Sequence, residues 1–234
     1  MSESATKAEA SAEARWERTK ANAKTIGGAV LLALFIRIVL FEAFEIDGPS
    51  MEPTLLHGDR VVVAKFMYGL FLPFTEDAVL TWGTPEAGDV VIVHSPYDSI
   101  DIVKRVIGVP GDTVEIRDDV VYRNGEPLQE GAPTPCLTED GQPREGDCEW
   151  VEESIGEHEW HTSRSQLTVP DTLREREVPP GHIFVLGDHR DRSNDSRNPR
   201  VGMIPVSRVK GRAVAIYWSN DGHVRWGRIF DGID

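Results

Sequence analysis

The amino-acid sequence predicts a mainly β protein: an antiparallel, folded-over sheet or barrel that follows one N-terminal transmembrane helix. Short runs of β-branched residues recur after residue 45, each bounded by Gly, Pro or Asp. Apart from the apolar run at 26–44, no long segment repeats its apolar residues at helical spacing. Turn-forming residues separate the β-branched runs, which favours an antiparallel sheet that folds over on itself.

Six segments carry the predicted strands, and all of them lie within residues 45–234, which we interpret as one β-rich domain. Asn124–Gly125 follows the fourth segment and predicts a tight hairpin turn there. The predicted strands span residues 60–64, 90–94, 102–109, 114–122, 182–186 and 212–218.

The chain begins with a polar segment and then enters an apolar run. Residues 1–25 are rich in Ala, Ser, Glu, Lys and Arg, which predicts a flexible cytoplasmic tail. As a helix, the 19 residues at 26–44 would span roughly 28 Å, close to the ~30 Å hydrocarbon core of a bilayer. Arg37 and Glu42 lie in the second half of this run, from which long side chains reach the headgroups.

Two other interpretations of the apolar run fit less well than a membrane anchor. A cleaved signal peptide needs small residues at a processing site, and no A-x-A pattern follows the run. A buried amphipathic helix would show polar residues at helical spacing, whereas 26–36 is apolar all round. Basic residues precede the run and acidic residues follow it, so the positive-inside rule predicts a cytoplasmic N-terminus and an exported domain.

Composition argues against one class of function and leaves the cysteines open. With 39 acidic and 25 basic residues, the net charge of −14 disfavours binding to nucleic acid. Cys136 and Cys148 match no C-x-x-C redox or zinc pattern. Outside the cytosol they would form a local disulfide, and two separate buried thiols are the equally weighted alternative. Both lie in residues 129–176, which we interpret as an insertion or cap on the β domain.

The first segment that suggests chemistry is 48–55, which follows the anchor closely. Gly48 permits unusual backbone angles, and Pro49 and Pro53 stiffen the chain. Such a turn can present Ser50 as a nucleophile and its N–H as an oxyanion donor. Most serines in turns are structural, so this segment alone does not establish a site.

Two further segments are rich in charged or polar groups. In 101–112, Lys104 lies between Ile102 and Val106 on one face of a strand, where burial would lower the pKa of its amine and allow it to act as a general base. The ordinary alternative is a solvent-facing lysine on an edge strand. The segment 187–197 is either a hydrophilic loop or a hydrogen-bonded support for a site.

Taken together, these segments resemble the bacterial type I signal peptidases. The family pattern has a Ser-Met-x-Pro-Thr-Leu box, a Lys-Arg box that ends in Gly-x-Pro-Gly-Asp, and a Gly-Asp-x-Arg-x-x-Ser-x-Asp-Ser-Arg box. This chain carries SMEPTL at 50–55, KRVIGVPGD at 104–112 and GDHRDRSNDSR at 187–197. The resemblance covers residues 30–130 and 175–220, approximately, and leaves the tail and the insertion uncovered.

The resemblance implies a role for each matching residue. Ser50 would be the nucleophile and Lys104 the general base. Ser193 would hydrogen-bond and orient the lysine amine, while Asp195 and Arg197 would form a supporting ion pair. The residues implied to line shallow pockets for small substrate side chains are Ile46, Met51, Leu55, Ile102 and Val103.

The resemblance also implies a largely β fold, a location and a set of partners. The substrates would be signal peptides of exported preproteins, bound as an added strand and cut through an acyl-enzyme. The other partner would be the lipid bilayer. The implied location is the bacterial inner (plasma) membrane, with a single span and with the catalytic domain on the exported, periplasmic side.

The chain departs from the family pattern at two positions. Many members carry a second Ser in place of Gly48, and its hydroxyl helps to bind the oxyanion. His189 stands where Asn is usual, and the resemblance gives it no role. It raises a rival Ser-His-Asp triad, but no histidine accompanies a Gly-x-Ser-x-Gly or comparable frame. His158 and His161 are too few for a metal site, so neither metal nor cofactor is expected.

Two alternative functions remain open at this point. One is a related Ser-Lys peptidase dedicated to a conjugation or pilus component. The other is a non-catalytic anchored β-domain that binds exported chains without cutting them. A pure binding domain needs neither Ser50 nor Lys104, so the intact pair argues against the second alternative.

Overall fold

The structure is a computed structural model in which residues 2–71, 75–137, 142–143, 148–165 and 171–233 are described. The chain divides into two units, residues 1–40 and 41–234.

The first unit is helical. Helix α1 spans Ser2–Phe35 and continues into a π-helical turn at Ile36–Leu40. It therefore includes residues that the sequence predicted as a flexible tail, because Ala, Glu and Lys are strong helix formers. Large apolar side chains along its second half are exposed: Ile26, Val30, Leu31, Leu32, Leu34 and Phe35. Within the described residues, no helix combines the length and the apolar character needed to cross a membrane.

The apolar run at 26–44 is not helical to its end, which corrects the sequence-based expectation. Its last residues belong to strand β1, Phe41–Glu45, which pairs antiparallel with strand β2, Asp59–Ala64. A helix continued through this segment would forfeit the inter-strand hydrogen bonds. Glu42 forms an ion pair with Lys65 at 3.2 Å, so its carboxylate has a protein partner.

The described part of the second unit contains fourteen further strands. They are β3 (Gly69–Leu70), β4 (Leu80–Thr81), β5 (Val90–His94), β6 (Asp101–Gly108), β7 (Thr113–Arg117), β8 (Val120–Arg123), β9 (Glu126–Pro127), β10 (Gln129–Pro135), β11 (Cys148–Ile155), β12 (His158–Ser165), β13 (Leu173–Glu177), β14 (His182–Leu186), β15 (Ile204–Pro205) and β16 (Val209–Ser219). Short 3₁₀ turns lie at Lys65–Met67, Arg190–Arg192, Val206–Arg208 and Trp226–Arg228.

A seven-stranded sheet forms the centre of this unit, in the order β1-β2-β16-β5-β6-β14-β15. Its strands pair antiparallel throughout, as the sequence predicted. β5 is buried at four successive positions, Val90 to Val93, because this strand lies inside the sheet with apolar side chains packed on both faces. The pairing of β6 with β14 brings the second sequence box, which begins on β6, next to the third box, which follows β14 directly.

The described residues form three smaller sheets, one of which is the two-stranded pair β3–β4, and the other two each refine a prediction. The segment predicted as one strand at 114–122 is a hairpin, since Asp118 and Asp119 both adopt positive φ, at 49° and 67°, between β7 and β8. A second tight turn at Asn124–Gly125 leads into β9, as predicted. These strands form a four-stranded sheet with β13, in the order β13-β7-β8-β9.

The predicted insertion at 129–176 forms a sheet of its own, but only in part. Strands β10, β11 and β12 pair antiparallel, and β11 and β12 make a regular hairpin around Gly156. β13 instead joins β7, so the separate sheet ends before it. A disulfide between Cys136 and Cys148, with Cα atoms 5.4 Å apart, joins the segment after β10 to the start of β11.

Candidate active site

Ser50, the nucleophile that the resemblance implies, lies on a loop that leaves β1 and returns to β2, which we call the nucleophile loop. Two backbone hydrogen bonds close the loop at its base, from Ile46 N–H to Asp59 C=O at 2.8 Å and from Gly58 N–H to Ile46 C=O at 3.0 Å. Gly48 has φ +98°, a conformation that residues with a Cβ rarely adopt. Buried Met51 and Leu55 anchor the loop in the core, which fixes Ser50 at the surface above them.

Lys104 lies on β6, and its side chain is buried next to this loop. Its register partner is Val91 on β5, and only 3% of the lysine is exposed. The amine donates hydrogen bonds to Ser50 Oγ at 2.8 Å and to the Val103 carbonyl oxygen at 2.8 Å. The structure therefore brings together the two residues that the resemblance implies as nucleophile and base.

Burial lowers the pKa of the Lys104 amine from 10.5 to about 8, although Asp195 and Asp188 partly oppose this by favouring the charged form. At pH 7, about a tenth of such lysines would be neutral, compared with a negligible fraction at the ordinary pKa. A neutral amine in contact with a serine hydroxyl can accept its proton.

Asp195 and Arg197 form the ion pair that the resemblance implies. The guanidinium donates from Nε to Asp195 Oδ1 and from Nη2 to Oδ2, both at 2.8 Å. Burial favours the neutral form of Asp195, but the bonds and charge of Arg197 outweigh it and hold the pKa of the carboxyl below its usual range. Asp195 also accepts the Gly187 N–H at 3.0 Å, so this pair supports the backbone beside Ser50.

Ser193 does not make the hydrogen bond to Lys104 that the resemblance implies. Its Oγ is buried and has no hydrogen-bond partner among the residues described. Asp195 is a candidate acceptor nearby, since Ser193 contributes to lowering the pKa of its carboxyl, but the contact falls outside hydrogen-bond geometry. Gly187 packs against both Ser193 Oγ and the Ser50 carbonyl oxygen, since a Cβ added to it would collide with both atoms. The Ser193 hydroxyl therefore lies close to the backbone of Ser50.

A buried ion pair that the sequence interpretation missed ties the three boxes together. Arg105 is fully buried and donates to Asp188 from Nε at 3.0 Å and from Nη2 at 2.9 Å. Asp188 also accepts the Thr54 hydroxyl at 2.5 Å, and the Trp160 ring lies 4.4 Å from the guanidinium carbon. Thr54, Arg105 and Asp188 all lie in the quoted boxes, and the available signal was an arginine within the mainly apolar strand β6.

His189 contacts the nucleophile loop through its backbone. Its N–H donates to the Ser50 carbonyl oxygen at 3.1 Å. Its imidazole Nδ1 lies 3.6 Å from Glu52 Oε2 and has no hydrogen-bond partner in the described part of the chain. The imidazole therefore faces Glu52, while Ser50 Oγ receives its hydrogen bond from Lys104.

Four of the five residues implied as pocket lining pack into one core cluster. These are Ile46, Met51, Leu55 and Val103, each less than 9% exposed. Ile102 is only partly buried and packs against a different cluster. Among the residues described, no group of three or more His, Cys, Asp or Glu side chains is arranged to hold a metal ion.

Comparison with known proteins identifies the family. The family model for "Signal peptidase, peptidase S26" matches residues 19–218. Signal peptidase I of Pseudomonas fluorescens is 36% identical over 212 residues, which cover 84% of this chain and 71% of that protein. Signal peptidase I of Bacillus licheniformis is 35% identical over 195 residues, with coverage of 83% and 86%.

One solved structure belongs to the same group of relatives. It is a crystal structure of a signal peptidase I from Enterococcus faecalis V583, with 30% identity, coverage of 56% of this chain and 98% of that chain, and a TM-score of 0.37. The family match and the relatives' identities together lead to one conclusion: this chain belongs to the peptidase S26 family of signal peptidases, as a peptide-bond hydrolase of the signal peptidase I type.

Proposed function

We propose that this chain removes signal peptides from exported preproteins, with Ser50 as the nucleophile and Lys104 as the general base. The 2.8 Å contact between Lys104 Nζ and Ser50 Oγ carries the proposal. The lowered pKa of the buried amine supports it, because only the neutral amine can accept a proton. The substrate class follows from the names of the relatives, all of which are signal peptidases.

Acylation begins when Ser50 Oγ attacks the carbonyl carbon of the scissile bond and its proton moves to Lys104 Nζ. In the neutral amine, one N–H can remain bonded to the Val103 carbonyl oxygen, which leaves the nitrogen lone pair directed at the hydroxyl. The resulting ammonium then gives its proton to the leaving nitrogen as the C–N bond breaks. The mature chain leaves with a new amino terminus, and the signal peptide stays as an ester on Ser50.

Deacylation uses the same lysine with a water molecule. Lys104 takes a proton from the water as its oxygen attacks the ester carbonyl. When the ester bond breaks, Ser50 Oγ takes back a proton from the ammonium. The signal peptide leaves with a carboxylate terminus, and both residues return to their starting states.

The Ser50 N–H is the donor that we assign to the oxyanion. No residue that the structure describes accepts a hydrogen bond from it, so it is available to a substrate. Gly48 contributes no hydroxyl at the position where many relatives carry a serine. The unpartnered Ser193 hydroxyl is our candidate for holding the lysine amine during the reaction, once the amine has moved from its resting contact.

Specificity would come from the apolar residues packed beneath the loop. We propose that Ile46, Met51, Leu55, Ile102 and Val103 border a shallow apolar surface that accepts small side chains and excludes large ones by steric clash. An extended substrate points alternate side chains the same way, so the residue before the cut and the one two places earlier should both be small. A peptide panel that varies these two positions tests the assignment. Efficient cleavage after Phe or Lys would contradict it.

We propose that the N-terminal helix anchors the enzyme in the bacterial plasma membrane, with the catalytic unit on the exported side. The exposed apolar side chains between Ile26 and Phe35, and the basic residues that precede them, support this orientation. Protease added outside spheroplasts should then digest the unit that begins at Phe41. Protection of that unit, or recovery of the chain in the soluble fraction, would contradict the topology.

The direct test is cleavage of a purified preprotein by the full chain in detergent. Ser50→Ala and Lys104→Ala should each abolish cleavage while leaving the circular dichroism spectrum unchanged, because nucleophile and base act as a unit. Lys104→Arg should also be inactive, since a guanidinium stays protonated. Cleavage of a single dedicated substrate only would favour the alternative of a specialised processing peptidase. Binding without cleavage by the unaltered chain would favour a non-catalytic domain.

A further inference from the structure

A cavity of about 620 Å³ opens beside the residues that follow the nucleophile. The loop contributes Glu52 and Pro53, the insertion contributes Leu137 and Trp150, and the C-terminal segment contributes Asp221 and Arg225. This volume is typical of sites that bind a small molecule or a few residues of a peptide. Neither catalytic residue and none of the implied pocket residues for the signal peptide lines it.

The residues of the nucleophile loop that line the cavity differ from those that pack into the core. Met51 and Leu55 point into the core, where they pack with Ile46. Glu52, next to Met51, borders the cavity instead. If the side chains before the cut lie over the Met51 face, the chain after the cut is the part of a substrate that can reach the Glu52 face.

The disulfide-bonded insertion supplies the apolar wall. Leu137 follows Cys136 and is 41% exposed, and Trp150 lies two residues after Cys148. The Cys136 N–H donates to the Cys148 carbonyl oxygen at 3.1 Å, and this bond, with the disulfide, holds the segment of Leu137 next to the strand of Trp150. An exposed leucine beside a half-buried tryptophan offers apolar area that a bound side chain would cover.

The charged groups at the rim favour a peptide over an anionic ligand. Arg225 donates to the His57 carbonyl oxygen at 2.9 Å and pairs with Asp221 at 3.3 Å. Arg228, also in the lining, pairs with Asp59 and donates to the Thr54 carbonyl oxygen at 2.8 Å. Both guanidinium groups are thus engaged within the protein, and neither presents an unpaired charge to a phosphate.

The insertion is also tied directly to the catalytic loop. Ser163 on β12 donates from Oγ to the Glu52 carbonyl oxygen at 3.1 Å. The apolar wall and the nucleophile therefore stand at a fixed separation. Ser50 and Glu52 are two residues apart, at most about 7 Å along an extended chain, so the first few residues after the cut span this distance.

We propose that this cavity binds the first residues of the mature protein, just after the cut, and that Trp150 and Leu137 contact an apolar or aromatic side chain there. The proposal rests on the proposed function and extends the substrate site to the far side of the scissile bond. It gives the insertion and its disulfide a role in substrate binding, which the three sequence boxes did not indicate.

The test compares two peptide substrates that share the same sequence before the cut. The short one ends one residue after the cut, and the long one continues for six residues that include Leu and Phe. Trp150→Ala should raise KM for the long substrate about tenfold, the expected loss from one partly buried aromatic contact. It should leave kcat/KM for the short substrate unchanged. Trp82→Ala is the matched control, because Trp82 is 56% exposed and lies outside the cavity lining.

Equal losses on both substrates, or no loss on either, would overturn the proposal. Leu137→Ala provides a second variant in case Trp150→Ala fails to fold, and it should show a smaller loss that is again confined to the long substrate. Binding of the long peptide to Ser50→Ala enzyme, measured by calorimetry with and without Trp150→Ala, separates affinity from turnover. If the unaltered enzyme cuts neither substrate, the proposed function fails first, and the two failures are therefore distinguishable.

Discussion

Arg105 and Asp188 form a fully buried, two-bond ion pair between β6, which carries Lys104, and the loop after β14. Asp188 extends the connection to the nucleophile loop by accepting the Thr54 hydroxyl. The contact therefore connects the strand of Lys104 to the loop of Ser50. A buried ion pair adds little net stability, because its attraction roughly offsets the cost of removing both charges from water. Its main role is therefore to hold these segments in position.

Removing one partner of this pair should be strongly destabilising. We expect Asp188→Ala to lower the free energy of unfolding by about 3–5 kcal/mol, because Arg105 would be left buried without its counter-charge. Urea unfolding followed by fluorescence measures this. Glu45→Ala is the control, since the Glu45–Arg60 pair is exposed and should change stability by less than about 1 kcal/mol. Similar losses in both variants would contradict the role assigned to Asp188.

Activity should follow the protonation of Lys104. Because burial lowers the pKa of its amine to about 8, the amine is charged and inactive as a base below that pH and becomes neutral above it. We expect kcat/KM to rise with pH and to level off above about pH 8 rather than above the ordinary lysine value of 10.5. Initial rates from pH 6 to 10 on a short peptide measure this. A rise in kcat/KM that continues to pH 10 would show that the pKa of the Lys104 amine is not lowered.

The same lysine should make stability depend on pH in the opposite sense from a lysine whose pKa is raised in the folded protein by an acidic partner. Its pKa in the folded protein, about 8, lies below the 10.5 of the unfolded chain. Between these values the unfolded state binds more protons, so the free energy of unfolding should increase as pH rises through this window. Lys104→Met removes the titrating group and should flatten this part of the profile. If the free energy of unfolding of Lys104→Met rose with pH as steeply as before, the pH dependence would come from other groups.

His189 should be dispensable for the chemistry. Its backbone N–H, which any residue except proline supplies, holds the Ser50 carbonyl oxygen, and its imidazole faces Glu52. We therefore expect His189→Asn to keep kcat within a few-fold of the unaltered enzyme. A member of a catalytic triad would instead cost roughly three or more orders of magnitude when removed. Steady-state kinetics that found such a loss, together with an active Lys104→Ala, would replace the dyad by a triad.

The disulfide should stabilise the domain without taking part in catalysis. A bridge that closes a short loop contributes about 2–3 kcal/mol, so the double variant Cys136→Ser, Cys148→Ser should unfold at lower urea concentration. Its kcat/KM on a substrate that ends just after the cut should be unchanged, because both sulfurs lie outside the catalytic contacts. Alkylation before and after reduction counts the thiols. Free thiols in protein isolated from the cell envelope would contradict a disulfide between Cys136 and Cys148.

Local patterns in the sequence located five of the six predicted strands, at 60–64, 90–94, 102–109, 182–186 and 212–218. β-branched runs favour extended backbone wherever they occur, and Asn124–Gly125 tolerates positive φ, so these features depend on few neighbours. The Ser50 and Lys104 segments pointed to a site only through their resemblance to the motifs of a known family, because neither segment alone distinguishes a site from an ordinary turn or strand. The disulfide pairing remained open, since two thiols near in sequence carry no information on where their side chains point.

Long-range contacts decided the rest. Phe41–Glu45 contains no Gly or Pro that would end a helix, and it forms a strand because β2 offers hydrogen-bond partners along its whole length. Arg105 and Asp188 are 83 positions apart, so only the packing of β6 against β14 reveals that they meet. The lowered pKa of Lys104 also depends on long-range contacts. The sequence places this lysine on an apolar strand face, but its burial beside Ser50 arises from segments that meet only in the folded chain.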